Sequence, residues 1–430
     1  MKRNKAVITL ILSILLFAKA GGLRTDVPGI IGGGNIGIKG DAEKLAVLHS
    51  LGAGFCRVPA NAAEYWNGGK PLPERFDEVV LAAHEHGVSP VFLFEYYTRW
   101  NIELGGAEKW HAIGSAFAER FHPNSAWLRG HGISDWGVTI YTAFNEPMWK
   151  DNNPRPIPPD QYAFALEALA DGVHSIDAKL CVNPGGYQEV PLFQNRNPYI
   201  KAVAPLFNSG KLSAIDIHRY WDVQYVPMSH GFDFSLQHQF DQVKKDAGIT
   251  ADVQFCTTEM NFKRRAVSED QAAAGFLTAL WDALTVVGRD GNRVTQFVMP
   301  WNIFNLATKD ENYGLTANPS PWTPTARGKV LAMACKLARG MKFTSVDPKN
   351  TGVSVLAGDG RKLWVWQNRP GWSNIAGSSF TLIALPADTT TVDIYGWDGL
   401  RKTVSAAGQT TLTLDDLSPN ETLIFEASKK

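Results

Sequence analysis

Short apolar runs alternate with stretches of helical periodicity along most of this chain. The first apolar run is residues 29–37. Seven more follow: Phe55–Pro59, Val88–Tyr97, Trp136–Phe144, Leu180–Asn183, Ala214–Tyr220, Asp252–Thr258 and Val294–Trp301. Helical periodicity occupies Asp41–Leu51, Glu74–His86, Ala107–Phe121, Pro159–Ile176, Pro198–Phe207, Phe232–Ala247, Ser268–Val287 and Ala326–Ala338. Strands that are apolar on both faces belong to a parallel sheet covered on both sides. Eight strand–helix units in succession predict an α/β fold, a (β/α)8 TIM barrel over residues 21–340.

The period changes after Gly340. Residues 341–430 hold no helical stretch. They hold alternating segments such as Val353–Leu356, Leu363–Trp366, Phe380–Ile383, Thr391–Tyr395, Thr410–Leu414 and Thr422–Phe425, separated by turn residues. This predicts a C-terminal antiparallel β-sandwich domain.

Residues 1–20 read as a signal peptide. Lys2, Arg3 and Lys5 precede the apolar run Ala6–Phe17, and Ala18-Lys19-Ala20 follows with small residues at the cleavage positions. The run is shorter than the ~18 residues of a membrane span, so cleavage rather than an uncleaved anchor is expected. The protein is then secreted or periplasmic, with no membrane attachment after cleavage. Cleavage removes four basic residues and leaves 38 basic against 42 acidic, a net of −4. A mildly acidic chain without a basic block is not built for nucleic acid. A monomer is expected.

Composition adds little else. With 44% hydrophobic and 20% charged residues the chain is an ordinary globular one. Cys56, Cys181, Cys256 and Cys335 have no C-x-x-C spacing, which speaks against zinc; buried thiols are expected rather than disulfides. His84 and His86 stand two apart on a helix and do not share a face. No cofactor and no metal are expected. Gly32, Gly34 and Gly37 spell G-x-G-x-x-G, but the next strand ends without the acidic residue a dinucleotide site needs. Asn420-Glu421-Thr422 forms a glycosylation sequon, expected to be unused behind a bacterial leader.

The chemistry lies at strand ends. The run Trp136–Phe144 finishes in Asn145-Glu146-Pro147, and the run from Val253 finishes in Thr258-Glu259. A parallel barrel keeps its chemistry at the C-terminal ends of its strands, and strands four and seven lie roughly opposite. Two carboxyl groups facing across a mouth can cleave a glycosidic bond: one protonates the leaving oxygen, the other attacks carbon or activates water. About 5–5.5 Å of separation retains anomeric configuration and a larger gap inverts it. Arg57 and Tyr220 end strands two and six and are positioned to hold Glu259 ionised. Asn145 can bond a sugar 2-hydroxyl. His218 shares a face with Tyr220 and is expected to touch substrate or Glu259. Aromatic side chains gather at the same ends: Tyr96, Tyr97, Trp100, Trp149, Trp221, Trp301, Phe304 and Tyr313. Sugar C–H faces pack on such rings.

Phe144-Asn145-Glu146-Pro147 resembles the acid/base motif of clan A glycoside hydrolases, and Thr258-Glu259-Met260 resembles the nucleophile motif of that clan. The layout over residues 26–340 is similar to the clan, and an appended sandwich is common in it. In detail the chain looks most like glycoside hydrolase family 39 and related bacterial exopolysaccharide hydrolases, on the Asn145 to Trp149 loop, His218 with Tyr220, and Tyr313-Gly314-Leu315. It departs from many relatives in Ala143-Phe144, where they carry tryptophan just before the Asn-Glu pair, and in Met260, where they carry tryptophan or another residue. The resemblance implies that Glu146 is the acid/base, Glu259 the nucleophile and Trp301 the floor of the catalytic subsite, in a retaining double displacement on a β-linked polysaccharide or oligosaccharide. A transglycosylase would use the same residues. A carbohydrate-binding protein on a degenerate barrel would lack one of the acids. Lys263, Arg264 and Arg265 could hold an acidic glycan or form a solvated turn. Trp364, Trp366, Trp372 and Trp397 could bind glycan on the sandwich, though packing is the plainer role.

Overall fold

The computed structural model describes residues 30–188, 198–221, 235–262, 267–304, 313–317, 321–347, 352–368, 379–417 and 421–429. The expected leader at 1–20, Lys263–Arg265, Trp372 and the sequon residue Asn420 lie outside them.

The apolar runs form the strands β1 (Gly32–Asn35), β2 (Phe55–Ala60), β3 (Ser89–Phe94), β4 (Ile140–Ala143), β5 (Cys181–Pro184), β6 (Ala214–Asp216, continued by Arg219–Trp221), β7 (Gln254–Phe262) and β8 (Thr295–Pro300). All neighbouring pairs are parallel. β1 to β5 make one sheet in chain order, and β6, β7 and β8 make another. Single parallel bridges join the edges of the two, Tyr187 to Ile217 and Ile31 to Val298. Helices follow the strands: α1 (Ala42–Ser50), α2 (Asp77–Glu85), α3 (Ala107–Phe121), α4 (Pro159–His174), α5 (Pro198–Asn208), α6 (Leu236–Ala247), α7 (Glu269–Leu284) and α8 (Ala326–Ala338). Their starts follow capping chemistry. Asp41 accepts from the Lys44 amide, and Ser268 forms a capping box with Gln271. α3 buries Trp110, Ile113, Phe117 and Phe121, a stripe at helical spacing.

Several strands are shorter or longer than expected, and three of the differences bear on the site. β3 stops at Phe94, which leaves Glu95, Tyr96 and Tyr97 outside the ladder. β6 breaks at Ile217 and His218, where Tyr187 takes over the pairing through its carbonyl to the His218 amide, 2.8 Å. β7 runs on past Glu259 to Phe262 because Met260, Asn261 and Phe262 pair with the β6 continuation. The G-x-G-x-x-G glycines belong to packing: Gly34, at φ +74°, lies where a Cβ would stand 2.8 Å from the Phe304 ring.

The C-terminal region is antiparallel. Strands β9 (Lys342–Asp347), β10 (Val353–Gly358), β11 (Arg361–Asn368), β13 (Thr389–Gly396), β14 (Gly399–Ser405) and β16 (Glu421–Lys429) form one sheet in the order β9-β10-β11-β16-β13-β14. β12 (Phe380–Ile383) pairs with β15 (Thr411–Leu414) in a second. Trp364 and Trp366 are buried between them, with Trp366 stacked on Phe380 at 4.8 Å. These two indoles are core, not glycan platforms. Trp397 packs partly buried against the larger core. The sheet docks on α7 through Trp281 Nε1 to Ser354 Oγ, 2.8 Å, and a Thr278–Thr422 hydroxyl pair, 2.8 Å. All four cysteines are free and buried. Among the described residues no helix is long and apolar enough to cross a membrane.

Candidate active site

Glu146 leaves the end of β4 on a strained turn. Phe144 and Glu146 both take left-handed backbone, φ +65° and +44°. Non-glycine residues there cost about 1–3 kcal/mol each and persist only where packing over-determines them. The packing comes from the turn after β5. Gly185 presses its backbone against Ala143, Phe144 and Asn145, and the Gly186 carbonyl accepts the Glu146 amide at 3.0 Å. Asn153 donates to the Glu146 carbonyl at 3.2 Å.

Glu259 arrives from β7. Arg57 donates to its Oε1 at 2.6 Å and Tyr220 to its Oε2 at 2.7 Å. Arg57 and Glu259 are both nearly buried, with side chains 3% and 10% exposed. The second Arg57 nitrogen donates to Asn145 Oδ1, so one guanidinium ties β2 to the turn after β4 and to β7. Burial pushes the Glu259 carboxyl up. The charges of His218 and Arg57, with hydrogen bonds from Tyr220 and Arg57, outweigh it and hold the group below the ordinary carboxylate range.

His218 joins the two acids. Its Nδ1 lies 2.7 Å from Glu146 Oε1 and 3.5 Å from Glu259 Oε2. The sequence reading expected substrate or Glu259 as its contact; Glu259 is within reach, but the nearer carboxylate is Glu146. The Nε2 lies 2.8 Å from Thr258 Oγ1, and that hydroxyl donates to Asp216 Oδ2 at 2.8 Å. The hydroxyl has one hydrogen and spends it on Asp216, so Nε2 carries a hydrogen and donates to Thr258. Nδ1 then shares one proton with Glu146. Burial lowers the imidazole pKa, but the charge of Glu259, the hydrogen bond and charge of Glu146, and the charge of Asp216 together raise it above its ordinary value.

The remaining expected residues fall as follows. Tyr97 is buried; its hydroxyl accepts from Asn145 Nδ2 at 3.2 Å and donates to Glu95 at 2.9 Å. Trp301 is half-buried beside β7, bonded through its amide to the Met260 carbonyl at 2.8 Å. Trp149 is exposed on the loop after Glu146. Trp221 is a correction: it is fully buried in the core and presents no face to a ligand, because the β6 continuation turns it inward. Tyr313 packs on Tyr220, ring centres 5.3 Å apart.

Sequence reasoning missed Glu95, Asp216 and Gly186. The signal for Gly186 was present in the Pro184-Gly185-Gly186 turn. A Cβ there would stand 1.9 Å from His218 Nε2, and its φ is +98°. Gly186→Ala is therefore expected to push His218 off Glu146 and lower kcat about 100-fold, with the fold retained by circular dichroism. Turnover within twofold of the parent would show that His218 does not need that wall.

The sequence offered no metal constellation, yet the fold brings Glu146, His218 and Glu259 together with one ligand atom of each within 4.8 Å of the others. Both Glu259 oxygens and both His218 nitrogens already have protein partners, and the Arg57 cation adjoins the set. The electrostatics suit proton handling better than a cation.

No family model matches the sequence, and no curated protein matches it. Solved structures do. A glucosidase from Croceicoccus marinus aligns at TM-score 0.63 and 15% identity, over 96% of this chain and 98% of that one. A glycoside hydrolase family 39 β-xylosidase from Caulobacter crescentus aligns at TM-score 0.58 and 14% identity, over 95% and 98%. A family 51 α-L-arabinofuranosidase from Bifidobacterium longum aligns at TM-score 0.58 and 12% identity, over 95% and 98%. Over nearly its whole length, β domain included, this chain is similar in fold to glycoside hydrolases of families 39 and 51.

Proposed function

We propose that the protein is a secreted, retaining glycoside hydrolase that acts on a β-linked polysaccharide or oligosaccharide, with Glu146 as acid/base and Glu259 as nucleophile. We read the two bridged sheets as one closed (β/α)8 barrel whose strand ends carry the site. The observation that carries the reading is the arrangement of the two acids: one oxygen of each within 4.8 Å, His218 between them, and Arg57 with Tyr220 on Glu259 alone. Oxygens this close support a retaining double displacement, whose two acids stand about 5–5.5 Å apart, over an inverting site, which needs a wider gap for water.

The asymmetry sets the roles. Glu259, held ionised, attacks the anomeric carbon and forms a glycosyl ester. The proton shared by Glu146 and His218 passes through Glu146 to the departing oxygen. Glu146 then takes a proton from water, the water oxygen attacks the anomeric carbon, and Glu259 leaves. All of the groups come from one chain, so a monomer suffices. The fold's likeness to a glucosidase, a β-xylosidase and an arabinofuranosidase supports a sugar substrate.

Product masses from a panel of plant and bacterial polysaccharides name the substrate and separate hydrolysis from transfer to a second sugar. Proton NMR of the first product is expected to show the β-anomer before mutarotation. The α-anomer appearing first would overturn the retaining mechanism.

A further inference from the structure

A third carboxylate stands in the mouth beside the two already described. Glu95 follows the last residue of β3, between β2, which carries Arg57, and β4, which leads into Asn145. Its backbone is fixed: its amide donates to the Ala60 carbonyl at 2.9 Å, and its carbonyl accepts from Tyr65 at 3.1 Å. One carboxylate oxygen, Oε1, accepts from Tyr97 at 2.9 Å. The other has no hydrogen-bond partner among the described residues, and it is not one of the fully buried atoms left unpaired. It therefore keeps some contact with solvent.

Stability does not account for this residue. Its charge faces Arg57 and Arg99 favourably and Glu259 unfavourably, with no ion pair within 4 Å among the described residues. Burial makes the ionised form costly there. A group that costs folding energy, is held rigidly, and keeps one acceptor open is placed for a ligand.

The hydrogen-bond order suggests which part of the ligand. Asn145 is the reader of the sugar 2-hydroxyl in the reading above. Tyr97 bridges Asn145 to Glu95 through contacts of 3.2 and 2.9 Å. The ring position next to C2, moving away from the bond being cut, is C3. We propose that Glu95 is a specificity-determining residue that accepts a hydrogen bond from the C3 hydroxyl of the sugar bound at the cleavage point, and so restricts the site to neutral sugars with that hydroxyl free. A sugar acylated or linked through that oxygen has no hydrogen to offer. A uronic acid or sulfated ring adds negative charge to a mouth that already holds Glu95, Glu146 and Glu259. This assignment rests on the glycosidase reading of the same site.

The test uses the full chain and its Glu95→Gln and Glu95→Ala variants, each shown to be folded by circular dichroism. The substrates are 2,4-dinitrophenyl β-glycosides of glucose, xylose and galactose, their 3-deoxy counterparts, and the β-glucuronide. In parallel, the 2-deoxy-2-fluoro glycosides are used to label the nucleophile, read as added mass on the peptide carrying Glu259. The parent is expected to lose about 10- to 100-fold in kcat/KM when the 3-hydroxyl is absent. Glu95→Ala is expected to lose a similar factor on the hydroxylated sugar and almost nothing further on the 3-deoxy one. Glu95→Gln, of the same shape but uncharged, is expected to raise turnover of the glucuronide relative to the neutral sugar about tenfold. Labelling of Glu259 together with an unchanged 3-hydroxyl preference in both variants overturns the role of Glu95 alone. Failure of every glycoside to be cleaved or to label Glu259 overturns the hydrolase reading, and this assignment with it.

Discussion

Glu259→Gln is expected to lower kcat by about 10⁴-fold or more on any glycoside the parent cleaves, because no other group can form the glycosyl ester. Both oxygens of Glu259 are committed to donors, from Arg57 and Tyr220. Glutamine preserves the shape and loses the negative charge. Glu146→Gln is expected to behave differently, and the contrast is the informative part. With a 2,4-dinitrophenol leaving group the first step needs no acid, so the glycosyl-enzyme forms and then accumulates, since the base for its hydrolysis is gone. With a sugar leaving group the loss should reach about 10²- to 10⁴-fold, the usual share of general acid catalysis. A burst of dinitrophenolate from Glu146→Gln and none from Glu259→Gln would separate the two roles. The opposite pattern would exchange them, and equal activity of both variants with the parent would end the two-glutamate mechanism.

Arg57→Met is expected to be the most destabilising single change at the site. Arg57 is 3% exposed and bonds Glu259 and Asn145. Removing one partner of a buried ion pair leaves a stranded charge and costs about 3–5 kcal/mol, measurable as a lower urea midpoint. The pH dependence follows from the direction of the Glu259 shift. Its folded-state pKa lies below the ordinary value. The stabilisation it contributes is therefore complete above the unfolded pKa and fades as pH falls through the lowered folded pKa. The stability gap between parent and Arg57→Met should narrow on acidification. The acid limb of kcat/KM should move to higher pH in the variant, since Glu259 then protonates earlier. A gap that widens at low pH, or an unmoved acid limb, would mean that Arg57 does not hold Glu259 ionised.

The alternation of apolar runs with helical periodicity was enough to lay out the parallel strands, the helices behind them and the change to an antiparallel region after Gly340. These follow from local period and burial, which a sequence displays directly. The same logic singled out Glu146 and Glu259, because an acid ending an apolar run is visible in one dimension, and Arg57, Tyr220 and Asn145 with them; the fold brings all five together. Periodicity also misled where side-chain direction mattered. Trp221 sits at a strand end like the others, yet the continuation of β6 beside Met260 and Phe262 turns its ring into the core.

What the tertiary structure decided are the relations between strand ends. No spacing in the chain shows that His218 bonds Glu146 more closely than Glu259, that Thr258 passes its hydrogen to Asp216, or that Gly186 must be bare to leave room for an imidazole. Nor does any spacing single out Glu95, one acid among many until β3 ends at Phe94 and Tyr97 turns back to it. The sequence by itself determined which residue types stand at the mouths of the strands, because that depends on neighbours along the chain. Which of them share a proton, and which is left with an open oxygen, depends on distances of a few ångströms between segments remote in sequence, and only the packing of those segments against one another sets them.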